Sequence, residues 1–331
     1  MFKEYNPITF ALIDDLRKIC PEGVVENVSL KSISSWKTGG NAVVVIQPST
    51  IDQICSLRKY FFEKEISPII IGMTTNLLFS DAGLLIPCIQ LGKKLSAVEW
   101  YGDKMKVQAG CWVPALSRQI QRAGFTGAEH IAGIPGTIGG LVYMNGGSQR
   151  KGIGESVIEV ESISSQGEYI VRTQAECSFA YRESIYQSKD EVITNITLKF
   201  LKADNPQEVH RKILSILSDR RKKFPRKTPN CGSVFKSDPS MYDLYGPPGK
   251  VIEEIGLKGF QSGGAEISSH HANFITNFGS AKSEDILKLI KLIKNKAYKD
   301  LKCELKAEVR YVDPFGKIFP ADQVLISEDE F

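Results

Sequence analysis

The spacing of apolar and polar positions changes period several times along the chain. Val43-Val44-Val45-Ile46 reads as a strand, and Pro68-Ile69-Ile70-Ile71-Gly72 as a second, buried one. Between them, Ser49 to Lys64 reads as a helix carrying Ile51, Ile54, Leu57 and Tyr60 at helical spacing, with a hydroxyl cap at Ser49-Thr50. This βαβ-like unit ends in the polar loop Met73-Thr74-Thr75-Asn76, a position where α/β folds often place ligands. From Ser96 to Leu201, strand-like runs (Met105–Ala109, Ile158–Ile163, Val192–Leu198) surround one helix near Val113 to Ala123, which gives an α+β block. A composition shift at Lys202-Ala203-Asp204-Asn205-Pro206 opens a helix over Glu208–Lys223 with apolar Val209, Ile213, Leu214 and Leu217, and predicts a domain boundary. A second amphipathic helix is predicted near Ser283–Leu301, its lysines forming a solvated face. Leu305–Val312 alternates as a strand in which Glu308 shares a face with Arg310 and Val312. The expected division is two α+β lobes at 1–95 and 96–203, a third α+β domain at 204–315 and a tail at 316–331.

Composition removes several function classes. A net charge of +4 over 331 residues is too slight to indicate nucleic-acid binding, although it suits an anionic substrate. No apolar run approaches the length of a membrane span, and the start Met1-Phe2-Lys3-Glu4-Tyr5-Asn6-Pro7 lacks the pattern of a signal peptide, so a cytoplasmic protein is expected. Seven cysteines without a Cys-x-x-Cys pair, and only four histidines, predict free thiols and no metal site.

The candidate chemistry concentrates in a few segments. Gly133-Ile134-Pro135-Gly136-Thr137-Ile138-Gly139-Gly140 packs four glycines and a proline into eight residues, so its backbone can approach a ligand closely, and successive N–H groups in such a turn favour phosphate oxygens. A plain tight turn is the equal alternative. The loop lacks the upstream strand of the dinucleotide fingerprint, and Gly246-Pro247-Pro248-Gly249-Lys250 lacks the spacing of a nucleotide P-loop. Tyr181-Arg182-Glu183-Ser184 offers a guanidinium fork, or merely a surface arginine between strands. Ser233, after Gly232, reads as a turn cap or a positioned proton donor, and Cys231 beside it as structural. Adjacent His270 and His271 on a strand would face opposite ways, which speaks against a metal pair.

Taken in order, these segments resemble the UDP-N-acetylenolpyruvoylglucosamine reductase family over about residues 30 to 313. The likeness rests on Trp36-Lys37-Thr38-Gly39-Gly40, Asn76-Leu77-Leu78 with Asp81, the glycine loop through Met144-Asn145, Tyr181-Arg182-Glu183-Ser184, Gly232-Ser233-Val234-Phe235-Lys236, Ile255–Gly259, His271-Ala272-Asn273-Phe274 and Ala307-Glu308-Val309-Arg310. The shape around Gly246–Lys250 looks like the shorter subtype, without the tyrosine-bearing substrate loop.

The resemblance implies an α+β fold: a two-lobed FAD-binding domain of the vanillyl-alcohol-oxidase type, followed by a C-terminal substrate domain. It implies non-covalent FAD held by Gly72, Met73, Thr74, Thr75, Asn76 and Leu77, by Gly133, Ile134, Pro135, Gly136, Thr137, Gly139 and Gly140, and by Asn145. NADPH is the implied hydride donor and a UDP-sugar the substrate, with Arg182 and Glu308 stabilising the developing enolate and Ser233 giving the proton, activated by Lys236 or an ordered water. Tyr181, Arg221, Lys223, Lys236 and Asn273 are the implied substrate contacts. A monomer is the expected state. Thr74 and Thr75 replace the second glycine and the serine of the usual first phosphate loop, Gly-x-Gly-Ser-Asn. This keeps open a paralogue acting on a related nucleotide sugar.

Overall fold

The structure, a computed structural model, describes residues 10–325. Met1–Pro7, where no signal peptide is expected, and the last six residues of the expected tail lie outside them. The described residues form two compact units: 10–26 with Val44–Met73 and Ile86–Arg220, and Asn27–Val43 with Thr74–Leu85 and 221–325.

The first unit holds the predicted βαβ. Thr50 caps the helix Ile51–Glu63 by accepting the Gln53 N–H, and its apolar stripe buries Ile54, Leu57 and Phe61. The flanking strands Asn41–Ile46 and Ile69–Ile71 are not neighbours. Cys88–Gln90 inserts between them, parallel to both, in a four-stranded sheet completed by Val24–Ser29. A second, antiparallel sheet runs in the order Tyr169–Thr173, Val157–Ile163, Val192–Lys199, Lys104–Gln108, Val98–Tyr101.

The expected boundary at 203/204 is not where the two units part. The helix Pro206–Lys223 buries Val209, Ile213 and Ile216 against Ala132, so through Arg220 it belongs to the first unit. The composition shift marks a helix start rather than a domain border. The expected tail also carries structure, since Ile318–Pro320 pairs antiparallel with Arg310–Val312.

The second unit is built around the helix Ser283–Leu301, with the ends the sequence predicts. Its core gathers Phe235, Val251, Ile252, Ile286, Ile290 and Ile293 around Trp36, whose indole N–H donates to the Ile275 carbonyl at 2.7 Å. The motif residue Asp81 is a helix cap, its two carboxylate oxygens accepting the N–H groups of Ser283 (2.9 Å) and Glu284 (3.1 Å). Asp81→Ala therefore costs about 1–2 kcal/mol of stability, read as a lower urea midpoint; an unchanged midpoint would show that the cap contributes nothing.

The strand expected over Leu305–Val312 is interrupted. Regular pairing begins only at Arg310, and Ala307 forms an isolated bridge with Phe235. Between them the N–H groups of Glu308 (2.8 Å) and Val309 (3.4 Å) both reach the Val234 carbonyl, two residues opposing one as in a β-bulge, a device that re-aims a side chain. His270 and His271 lie in a bend and turn before the strand Ile275–Asn277, not on a strand.

Candidate active site and cofactor loop

In the first unit, the glycines of the loop are set by what surrounds them. A Cβ on Gly133 would stand 2.7 Å from Leu217 Cδ2 and 3.3 Å from Arg220 Nε, and one on Gly139 would stand 2.8 Å from the Ala109 Cβ, so both positions are explained by close packing. Gly72 is equally tight: a Cβ there would meet Thr137 Oγ1 at 2.6 Å, which sets the end of the strand Ile69–Ile71 directly against the loop.

Thr137 caps the short helix Ile138–Tyr143 through Gly140 N–H. The loop is strapped to the preceding segment by Val113 N–H to Gly136 O (3.0 Å) and Ile138 N–H to Cys111 O (2.9 Å). Gly136 and Thr137 are buried, yet their own N–H groups find no acceptor among the described residues. Orphaned buried donors are rare and call for an outside partner, so this adjacent pair fits the pyrophosphate of a bound dinucleotide.

Asn145 turns the chain at φ 40° and acts as a brace. Its amide donates to Ala180 O at 2.8 Å and its Oδ1 accepts Gly154 N–H at 2.9 Å. This fixes the tight hairpin in which Ala180 and Glu183 exchange backbone hydrogen bonds across Tyr181-Arg182. Arg182 takes φ 60° at the second turn position, a conformation that favours glycine, and its guanidinium lies 5.3 Å from the Tyr181 ring. Gln187 secures the turn by donating to Arg182 O at 2.9 Å. Arg221 and Lys223 are exposed in the last turn of the helix Pro206–Lys223.

In the second unit, Ser233 is set by the backbone on both sides of its segment. Asn273 accepts Phe235 N–H at 2.9 Å and donates to Phe235 O at 3.0 Å, while Lys236 N–H reaches Lys306 O at 2.9 Å. Asn273, expected to touch substrate, thus spends its buried amide on holding the Ser233 segment. The Ser233 hydroxyl has no partner among the described residues. Lys236, offered by the sequence as its activator, instead lines a cleft of about 780 Å³ with Lys294, Tyr298 and Lys306.

The loop position where the resemblance expects glycine carries Thr74 at φ 57°, 4 % exposed. Its hydroxyl accepts Ser35 N–H and donates to Ile33 O, both at 3.1 Å, which offsets the backbone strain. Asn76 joins this loop to the bulged segment, donating to Glu308 O at 3.2 Å and accepting Arg310 N–H at 3.0 Å. Cys231 is structural, its buried thiol donating to the Thr74 and Leu77 carbonyls and pushed up in pKa by burial. All seven cysteines are free, and the described residues hold no metal-binding cluster. No described helix is long and apolar enough to cross a membrane.

Two histidines titrate low because burial disfavours their charged form. His130 lies just before the glycine loop, and His271 packs against Phe224 and Phe274. A group whose folded pKa is depressed contributes stability that is full above its ordinary value, 6.5, and is lost as pH falls through the folded pKa. The urea midpoint should therefore fall between pH 7.5 and pH 5; a midpoint that holds or rises across that range would contradict the assignment.

The profile described as "FAD binding domain" matches residues 42–173, and that of "UDP-N-acetylenolpyruvoylglucosamine reductase, C-terminal domain" matches 224–312. UDP-N-acetylenolpyruvoylglucosamine reductase 1 of Corynebacterium glutamicum is 42 % identical over 97 % of this chain and 96 % of its own. The Halalkalibacterium halodurans reductase is 35 % identical over 91 % and 98 %. The crystal structure of UDP-N-acetylenolpyruvylglucosamine reductase from Thermus caldophilus superposes with a TM-score of 0.73 at 29 % identity, covering 87 % of this chain and 98 % of that one.

Proposed function

Since the chain belongs to the UDP-N-acetylenolpyruvoylglucosamine reductase family, we propose that it reduces UDP-N-acetylenolpyruvoylglucosamine to UDP-N-acetylmuramate, a step in making peptidoglycan precursors, with NADPH as the electron source. FAD, when bound, supplies the carrier that takes a hydride from NADPH and gives it to the vinyl carbon remote from the ether oxygen. The reading is carried by the extent of the likeness: the 42 % identity spans both units, including the segments that hold Arg182, Ser233 and Glu308.

Each of these residues has one task. As the terminal vinyl carbon gains a hydride, negative charge spreads over the neighbouring carbon and its carboxylate. Arg182, on its braced turn, presents a planar cationic fork to that charge. Glu308, aimed by its bulge, assists as the protonated acid or through a hydrogen-bonded donor. Ser233 delivers the proton that completes the lactyl ether. The backbone N–H groups of Gly136 and Thr137 would hold the cofactor's pyrophosphate. Tyr181, Arg221, Lys223 and Lys236 serve the UDP-sugar, and Asn273 positions Ser233. The free thiols suit a reducing cytoplasm, where we place the protein as a monomer.

The test is NADPH oxidation that depends on the enolpyruvyl sugar, with mass spectrometry of the product. A product two hydrogens heavier than the substrate supports the reading. Turnover only with another nucleotide sugar would favour a paralogous role.

A further inference from the structure

The geometry points to Trp112 as the aromatic wall against which one fused heteroaromatic ring of FAD stacks. The inference rests on the flavoprotein reading and adds a residue to it. Trp112 and Thr137 form an antiparallel bridge. The two hydrogen bonds that flank this pair, Val113 to Gly136 and Ile138 to Cys111, make it the non-hydrogen-bonded kind, in which the partners' side chains share a face at the closest cross-strand spacing. Trp112 therefore stands on the face of Thr137, whose Oγ1 packs directly against Gly72 at the end of the strand Ile69–Ile71 and whose N–H is one of the two orphaned donors.

The indole is out of place in its own neighbourhood. Trp112 is 44 % exposed between buried Cys111 and Val113, at the start of the helix Val113–Arg122, and its side chain does not cap that helix. The other two tryptophans have partners within the protein: Trp36 is buried in the core, and half-buried Trp100 stacks on Phe125 with centroids 5.1 Å apart. An exposed indole beside a pair of anion-facing donors matches a ligand that joins a diphosphate to flat rings, since stacking on an aromatic face adds to area burial.

The test uses the full-length holoprotein. On serial dilution, released FAD is read by its own fluorescence, and the bound flavin by its visible circular dichroism. Trp112→Leu should weaken FAD binding about three- to tenfold and alter the dichroic band, while Trp112→Phe restores most of both. Displacement of FAD by ADP and by FMN identifies the ring: the competitor whose own affinity drops in Trp112→Leu carries the stacked one. An unchanged dissociation constant and dichroism in Trp112→Leu would overturn the proposal, as would affinity losses that Trp112→Phe does not repair. Substrate-dependent NADPH oxidation by the wild-type enzyme is scored separately. Its failure with FAD bound would sink the reductase reading and leave the role of Trp112 standing.

Discussion

Ser233→Ala should leave the flavin reducible by NADPH at the wild-type rate and slow its reoxidation by UDP-N-acetylenolpyruvoylglucosamine about 10²–10⁴-fold, the usual worth of a positioned general acid. The selectivity follows from the local structure. The Ser233 hydroxyl is bonded to no described residue, whereas the segment around it is fixed by Asn273 on one side and by Lys306 and the Glu308 bulge on the other. Removing the hydroxyl takes away a proton and no scaffold. Anaerobic stopped-flow absorbance separates the two half-reactions. Equal slowing of both would show that Ser233 acts on the cofactor site; no slowing of either would remove it from the mechanism.

Arg182→Gly should cost about 10²–10³-fold in kcat, as expected for losing a donor aimed at developing charge, while the melting temperature is retained. Activity and stability part here because of the turn. Arg182 sits at φ 60°, where an L side chain is strained and glycine is not, so the substitution relieves the backbone while it deletes the guanidinium. Arg182→Lys keeps the charge but not the fork, and should recover only a small part of the rate. A glycine variant with near wild-type kcat would contradict the assignment. One that unfolds would show that the arginine is held for packing.

Local patterns were legible in the sequence wherever the signal is local. The helix Ile51–Glu63 with its Thr50 cap follows from side chains within a few residues of one another, and so does the helix Ser283–Leu301. The sequence could not show that Cys88–Gln90 would enter between the two strands of the βαβ unit, because a three-residue run carries too little pattern to set strand order. Long-range partners were hidden for the same reason. Asp81 caps a helix 202 positions away, and Trp36 bonds to Ile275 across 239, yet both appeared only as members of motifs.

The glycine loop stands out by composition, but composition cannot show what each glycine packs against: Gly133 meets Leu217, Gly139 meets Ala109 and Gly72 meets Thr137. The left-handed backbone of Arg182 and the bulge at Glu308 leave no trace in residue type, since neither position carries glycine. Trp112 carries no signal in the sequence either, since residue type at a helix start does not reveal exposure.

The most direct test of the central claim is a single anaerobic experiment on the holoprotein: bleach the flavin with one equivalent of NADPH, add UDP-N-acetylenolpyruvoylglucosamine, and follow the flavin absorbance. The account predicts rapid return of the oxidised spectrum with stoichiometric UDP-N-acetylmuramate. A flavin that bleaches and stays reduced until air is admitted would contradict it.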